Sequence, residues 1–347
     1  MLVAALTSFC FAFLAIKLFK PIAVDVGLVD KPNARKHHSG QIPLIGGISI
    51  YTGVLIASSL FVEQSQLLNL YFISSALLVF IGTMDDIYDL NVAPRMIFQG
   101  IVATIMVFGA NVYIHDFGNI LSLGTADIGN YGMIFTMLAC VAAINAFNMI
   151  DGIDGLAGSM SIVSIASVAI LTLLNSNSAD ILLPLILVVA IIPYLFYNVS
   201  TRNPRGKKIF MGDAGSMFMG LTVIWLLALG TQNTSQGDAV FRPVTALWII
   251  AVPLMDMFAI MLRRLRKGVS PFKADNGHLH HICMRLGLSS RQALWAISTF
   301  ATVLSAVGIA GDYLQIPEVF MLTAFVCVFL AYAFAIQHAW KFIRVLK

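Results

Sequence analysis

Long apolar runs separated by short polar connections cover almost the whole chain. Eleven of these runs are long enough, as helices, to cross the roughly 30 Å of hydrocarbon in a bilayer. They lie at about residues 2–19, 43–62, 68–84, 96–114, 131–147, 156–174, 180–197, 214–230, 243–262, 291–310 and 316–337. The pattern therefore predicts an all-α polytopic membrane protein, a single domain over residues 1–347 with about eleven transmembrane helices.

The composition agrees with this prediction and excludes an ordinary soluble domain. Of the 347 residues, 59% are hydrophobic and only 11% are charged, and the mean hydropathy is +0.88. Met1 leads directly into the first apolar run without a basic segment or a small-residue cleavage site, which indicates an uncleaved first helix. The spacing of the four cysteines offers neither a disulfide framework nor a zinc site.

The basic residues gather in alternate connections. Of the 21 lysines and arginines, all but Lys17 and Arg242 lie near 20–42, 85–95, 198–213, 263–291 and 338–347. Because positively charged loops stay in the cytoplasm, these connections and the C-terminus are expected there, and the N-terminus in the periplasm. The polar motifs described below all fall on this cytoplasmic side.

Four amide and carboxylate side chains recur at intervals of three across residues 145–155: Asn145, Asn148, Asp151 and Asp154. On a helix each successive pair shares a face, and the glycines that follow favour the end of the helix. Hard oxygen ligands in such a row suit Mg²⁺ and a phosphate-bearing substrate. The alternative is a polar turn whose Asp and Asn side chains only cap helices, which does not explain four of them.

Three aspartates close the third apolar run: Asp85, Asp86 and Asp89. In a continuous helix Asp85 and Asp89 share a face, with Asp86 about 100° away. Because the C-terminus of a helix disfavours negative charge, three carboxylates there indicate a role beyond solvation. A DDxxD run can hold Mg²⁺ bridged to a diphosphate, or supply a carboxylate base beside it.

The eighth apolar run opens with Gly212, Asp213 and Ser216. Small residues would let a phosphate approach the amides of the helix N-terminus, and Asp213 could be a metal ligand. Lys207 and Lys208 upstream favour an anionic ligand. The alternative is that Asp213 or Ser216 is an ordinary N-cap.

Two further connections carry basic and imidazole side chains. The loop after the first run contains Lys36 beside two histidines, and could anchor the membrane surface or contact a phosphate. The loop after the ninth run begins with Arg263 and Arg266 and ends with an HxHH motif formed by His278, His280 and His281. This second loop is interpreted as a cationic clamp for a nucleotide diphosphate. Topological anchoring is the alternative for the arginines, structural zinc is disfavoured, and the role of Asp256 is left open.

Taken in order, the motifs DDxxD, NxxNxxDGxDG, GDAGS and HxHH resemble the polyprenyl-phosphate N-acetylhexosamine-1-phosphate transferases, over nearly the whole chain. The DDxxD and HLHH forms are more similar to the branch that uses UDP-GlcNAc than to the peptidoglycan branch. That branch transfers GlcNAc-1-phosphate to undecaprenyl phosphate and releases UMP in the bacterial inner membrane. It begins O-antigen, enterobacterial common antigen or related glycans.

The resemblance also implies roles for individual residues. It implies Mg²⁺, or Mn²⁺, at Asn148 and Asp213, and a catalytic role for Asp85, Asp86, Asp151 and Asp154. The implied substrate-binding positions are Lys36, Asp89, Asn145, Arg263, Arg266, His278, His280 and His281. The implied partners are UDP-GlcNAc, undecaprenyl phosphate and the bilayer, with no nucleic acid and with a homodimer left open. Direct displacement and a covalent aspartyl intermediate both remain open.

Three other functions compete with this interpretation. A secondary transporter should carry charges at the middle of the membrane and a repeated half, and neither is visible in the sequence. A lipid-binding scaffold would not need four polar motifs on one side of the membrane. The peptidoglycan phospho-MurNAc-pentapeptide transferase would differ in its acceptance of UDP-MurNAc-pentapeptide.

Overall fold

The computed structural model describes residues 1–30, 40–175, 181–199, 208–233, 238–266, 268 and 277–346. Lys36 and Lys207 lie outside the described residues. Thirteen α-helices account for nearly all of the secondary structure in the described part of the chain. They are α1 (Leu2–Asp25), α2 (Gly46–Phe61), α3 (Gln66–Tyr88), α4 (Val92–Thr104), α5 (Tyr131–Ile150), α6 (Leu156–Asn175), α7 (Leu182–Asn198), α8 (Gly212–Thr231), α9 (Pro243–Ile249), α10 (Ala251–Arg266), α11 (Leu279–Arg285), α12 (Ser290–Tyr313) and α13 (Glu318–Leu346). A π-helical segment, Ile105–Gly109, continues α4, and Val29–Asp30 pairs antiparallel with Ile42–Pro43.

The predicted all-α architecture is confirmed. Eight helices in the described part of the chain are long and apolar enough to cross a membrane, or nine if the bent pair α9–α10 counts as one span. Two shorter apolar helices, α2 and α7, coincide with the remaining predicted segments. Every predicted apolar segment therefore corresponds to a helix, while the count of eleven crossings stays a prediction.

A sharp break divides the ninth predicted segment. The axes of α9 and α10 differ by 79°. Pro253 has no amide hydrogen with which to bond the carbonyl of Ile249 four residues earlier, so the hydrogen bonding of a continuous α-helix is interrupted at this point. The hydroxyls of Ser164 and Ser305 donate to the Ile249 carbonyl instead, at 3.2 and 3.3 Å. Two neighbouring helices thus satisfy the freed acceptor inside the bundle.

The helix α8 lies at the centre of the bundle. Nearly all of its residues are buried, and it packs against α2, α3 and α5. Small residues bring the backbones together: a Cβ atom added to Gly47 would overlap the backbone of Gly215, and one added to Gly82 would overlap that of Ala214. These contacts join α2 and α3 to the N-terminal turn of α8.

We expect Gly47→Ala to destabilise the protein by about 1–3 kcal/mol, because the added methyl group must push α2 away from α8. The measurement is the thermal unfolding temperature, Tm, of the detergent-purified protein. Gly100→Ala is the matched control: an atom added at Gly100, inside α4, meets nothing within 4 Å. Equal Tm values for the two variants would contradict the close α2–α8 contact.

An ion pair lies at the end of the bundle opposite the N-terminus of α8. The Arg242 guanidinium Nε donates to Asp312 Oδ1 at 3.1 Å, and the backbone amide of Arg242 donates to the same oxygen at 3.0 Å. Thr245 also donates to Asp312, at 3.0 Å. Because Asp312 is 2% exposed, this pair joins the start of α9 to the end of α12 through a buried carboxylate.

Candidate active site

Residues from three sequence motifs meet where α3 and α5 end and α8 begins. The Asp86 carboxylate accepts hydrogen bonds from the amides of Asp213, at 3.0 Å, and Ala214, at 3.4 Å. A negative charge at this position is favourable because the N-terminus of a helix carries unpaired amides and a partial positive charge. The sequence suggested that a phosphate could bind at this helix N-terminus. In the structure these two amides donate to the Asp86 carboxylate instead.

Arg95 bridges the carboxylates at this site. Its guanidinium Nη1 lies 2.8 Å from Asp85 Oδ2 and 3.4 Å from Asp213 Oδ2. Asp85 also accepts a bond from the amide of Leu90 at 2.8 Å. Arg95 is not among the site residues predicted from the sequence, although it is the single basic residue in the connection that follows Asp85. It brings a fixed positive charge to a site built from acids.

Asn148 joins the same cluster, whereas Asn145 does not. The Asn148 side-chain amide donates to Asp213 Oδ1 at 2.9 Å and to Ser216 Oγ at 3.0 Å. Asn145, one turn earlier in α5, donates to Gln99 Oε1 at 2.7 Å and to the Val141 carbonyl at 2.8 Å. Asn145 therefore ties α5 to α4 beneath the carboxylates.

Asp151 and Asp154 lie in the turn between α5 and α6. Burial, together with the charges of Asp213 and Asp154, raises the pKa of Asp151 to about 7. Asp154 forms an ion pair with Lys208 at 2.5 Å. This places a basic residue from the segment before α8 beside the acidic turn.

Asn198, at the end of α7, holds that turn in place. Its side-chain oxygen accepts a bond from the amide of Gly155, and its amide donates to the Ile209 carbonyl at 2.8 Å. Gly155 has a φ of +78°, which glycine adopts without strain. The side chain of Asn198 is buried, and it fixes the α5–α6 turn to the segment that leads into α8. Sequence reasoning did not single out Asn198.

The predicted shared face of Asp85 and Asp89 is wrong. Helix α3 ends at Tyr88, and Asp89 is its C-cap, with a φ of +50° and a ψ of +63°. This left-handed conformation turns the chain, so that Asp89 is exposed while Asp85 is buried. None of the hydrogen bonds described for the side chains of Asp85, Asp86, Asn148, Asp213 and Arg95 involves Asp89.

The HxHH segment lies against the α5–α6 turn. The ring of His280 packs directly on Gly152, and the rings of His280 and His281 lie 4.1 Å apart. Arg263 is buried beneath Gly277, at the start of this segment. Arg266 instead donates to Gln337 of α13 at 2.5 Å. The structure therefore places His280 against the turn that carries Asp151 and Arg263 beside Gly277, whereas Arg266 is directed to α13.

The pKa of His280 is lowered to about 3 by burial and by the neighbouring His281 and His278. Between that value and about 6.5, the ordinary pKa of histidine, the unfolded chain binds a proton that the folded chain does not. Stability is therefore lost as the pH falls below about 6.5, by up to about 1.4 kcal/mol per pH unit.

We expect the drop in Tm between pH 7.5 and 5.5 to be smaller in His280→Gln than in the wild type by about 2–4 °C. The same measurement on His338→Gln serves as the control, because His338 lies in the last helix and bonds the Phe334 carbonyl. An unchanged pH dependence in His280→Gln would contradict a neutral, buried His280.

The donor atoms of the cluster suit a hard divalent cation. Asp213 and Asn148 lie side by side and offer oxygen ligands, which Mg²⁺ prefers together with water and phosphate oxygens. Among the described residues, no group of three or more His, Cys, Asp or Glu side chains is arranged to hold a metal ion. A metal ion held by Asp213 and Asn148 would therefore need its remaining ligands from water or from a bound phosphate.

Comparison with known proteins gives a consistent result. Residues 68–231 match the model of "Glycosyl transferase family 4". The chain is 45% identical over 345 residues to the undecaprenyl-phosphate alpha-N-acetylglucosaminyl 1-phosphate transferase of Pasteurella multocida, covering 99% of this chain and 96% of the relative. It is 43% identical to the Salmonella typhi protein of the same name, covering 98% and 92%. The Yersinia pestis protein, also of that name, is 44% identical, covering 99% and 92%.

Proposed function

Because the chain belongs to the undecaprenyl-phosphate alpha-N-acetylglucosaminyl 1-phosphate transferases of glycosyl transferase family 4, we propose that it carries out their reaction. It transfers GlcNAc-1-phosphate from UDP-GlcNAc to undecaprenyl phosphate, giving undecaprenyl-diphospho-GlcNAc and UMP. The observation that carries this proposal is identity of 43–45% over at least 98% of the chain. The carboxylates that gather around Arg95 support it from the structure.

The proposed chemistry is a displacement at phosphorus. An oxygen of the lipid phosphate attacks the sugar-side phosphorus of UDP-GlcNAc, and the bond from that phosphorus to the bridging oxygen breaks. The lipid phosphate is largely ionised at neutral pH, so a protein base has little proton to remove. Positioning and charge neutralisation therefore outweigh proton abstraction in this proposal.

We propose Mg²⁺, or alternatively Mn²⁺, as the cofactor, held by Asp213 and Asn148. When bound, such an ion polarises phosphoryl oxygens and neutralises the charge that develops on the leaving phosphate. Arg95 holds the carboxylates of Asp85 and Asp213 next to each other and supplies a second positive charge. Arg263 and the histidines of the HxHH segment contact the diphosphate in this proposal.

The same proposal includes the topology of the chain. The proposed topology has eleven crossings of a bacterial inner membrane, with α9–α10 as one broken span and α2 and α7 as short ones. The C-terminus and the candidate site then lie on the cytoplasmic side. The distribution of basic residues in the sequence supports this orientation. Cysteine labelling from the two sides of the membrane tests it. Light scattering in detergent distinguishes a monomer from the homodimer left open by the resemblance.

The decisive experiment is transfer by the purified protein in detergent. Radiolabelled UDP-GlcNAc, undecaprenyl phosphate and Mg²⁺ are supplied, and label in the organic phase is followed together with UMP release. We expect equal amounts of the two products, and no label in the organic phase when a chelator is present. Labelling from UDP-MurNAc-pentapeptide alone would overturn the substrate, and no transfer from any UDP-sugar would overturn the function.

A further inference from the structure

A buried carboxylate receives three hydrogen bonds beside the HxHH segment. Asp256, in α10, is 2% exposed. Its Oδ2 lies 2.8 Å from His278 Nδ1, and its Oδ1 accepts bonds from the Leu279 amide at 3.0 Å and the Tyr332 hydroxyl at 2.8 Å. Three separate elements, α10, the HxHH segment and α13, therefore meet at one side chain.

We propose that Asp256 and Tyr332 are positioning residues, which act through His278 to hold the HxHH segment against the turn that follows α5. The effect on catalysis depends on the proposed function. The position of the HxHH segment is inferred from the contacts alone.

The contacts form a continuous path to the candidate site. The ring of His278 stacks on that of His280, with centroids 5.9 Å apart and an interplanar angle of 3°. His280 in turn packs on Gly152, the residue that follows Asp151. A displacement of His278 is therefore passed directly to the turn that carries Asp151.

Asp256 also determines which ring nitrogen of His278 carries the proton. A carboxylate that is ionised only accepts hydrogen bonds, and beside such a carboxylate Nδ1 of His278 is the donor. In the neutral ring, Nε2 is then left as an acceptor, and in the charged ring it becomes a second donor. A carboxylate beside a functional histidine commonly fixes its orientation and its tautomer in this way.

Stability alone does not account for this arrangement. A carboxylate buried in a membrane-embedded bundle is costly, and apolar residues of similar size often stabilise such positions as well or better. What the three hydrogen bonds supply is a single orientation for His278 and for the start of α11. This favours a role in positioning over a role in packing.

The first test is hydrogen exchange of the full-length protein, which needs no activity. Asparagine at position 256 has one acceptor oxygen, and an amide group facing His278 would favour the opposite tautomer. We expect Asp256→Asn to accelerate exchange in α11 (Leu279–Arg285), and Tyr332→Phe to do so less. Tyr71→Phe is the matched control, because the Tyr71 hydroxyl forms a buried 2.7 Å bond to Thr222 in another part of the bundle. Unchanged exchange in both test variants would overturn the proposal.

The second test is a double-mutant cycle on transfer. We expect Asp256→Asn to lower kcat/KM for UDP-GlcNAc by about 10- to 100-fold, and by less than about threefold when His278→Gln is already present. Equal losses in both backgrounds would mean that Asp256 does not act through His278. If Asp256→Asn does not fold, Tyr332→Phe is measured in both backgrounds instead. If the wild type transfers nothing, the proposed function fails, while the exchange result still decides the positioning role.

Discussion

Asp213→Asn is expected to lower the rate of GlcNAc-1-phosphate transfer by roughly 10³-fold or more, since a catalytic metal ion is worth several kcal/mol and each 1.36 kcal/mol is tenfold in rate. The substitution keeps the size of the side chain but removes the charge that would hold the ion. The measurement is the initial rate at saturating substrates over a series of Mg²⁺ concentrations. The rise in Tm on adding Mg²⁺ should disappear together with the activity.

Asp127→Asn is the control for this variant, since Asp127 lies in the loop before α5 and bonds only the nearby amide of Gly129 among the contacts described for its side chain. It should retain the wild-type rate and the wild-type response to Mg²⁺. Near-normal turnover of Asp213→Asn, with its Mg²⁺ dependence intact, would refute the role assigned to Asp213.

Arg95→Ala is expected to reduce transfer by about 10²- to 10³-fold, the usual cost of losing one preorganised donor at a reacting group. It also leaves Asp85 and Asp213 without the cation that bridges them. Repulsion between these carboxylates should lower Tm in the presence of a chelator. The stabilisation by added Mg²⁺ should then be larger in this variant than in the wild type.

Arg242→Ala provides a comparison at the other end of the bundle, where Arg242 pairs with the buried Asp312. It should lower Tm without increasing the response to Mg²⁺. Arg95→Lys, which keeps the charge but loses the guanidinium fork, should fall between the wild type and Arg95→Ala. If Arg95→Ala and Arg242→Ala respond equally to Mg²⁺, the proposed link between Arg95 and the metal site is wrong.

The helices could be predicted because the bilayer imposes a minimum length on apolar segments. Two features of the helices depart from the predictions, and both have a local cause in the backbone. The run at 243–262 is apolar apart from Thr245 and Asp256, but Pro253 removes one backbone donor and the helix bends by 79° before it. In α3 the left-handed conformation of Asp89 ends the helix and removes its carboxylate from the face of Asp85.

The site could be predicted in part, because polar residues at the ends of apolar helices must gather on one side of the bundle. Asp85, Asp86, Asn148 and Asp213 do gather. Three residues that hold the site and its surroundings together were not found. Arg95 bonds Asp85 and Asp213, Asn198 bonds the α5–α6 turn, and Tyr332 bonds Asp256. Their partners are between 10 and 118 positions away, so only the folded chain brings them together. The role of Asp256 was left open for the same reason, because its partner Tyr332 lies far away in the sequence, in α13.

The burial of α8 also bears on how the protein enters the membrane. Of the helices that pack most extensively against α8 in the described part of the chain, α2, α3, α5 and α6 precede it in the sequence and α9 follows it. Since synthesis proceeds from the N-terminus, the binding groove for α8 can form before α8 itself leaves the ribosome. A chain interrupted before α8 would display that groove to lipid, with the glycines of α2 and α3 uncovered.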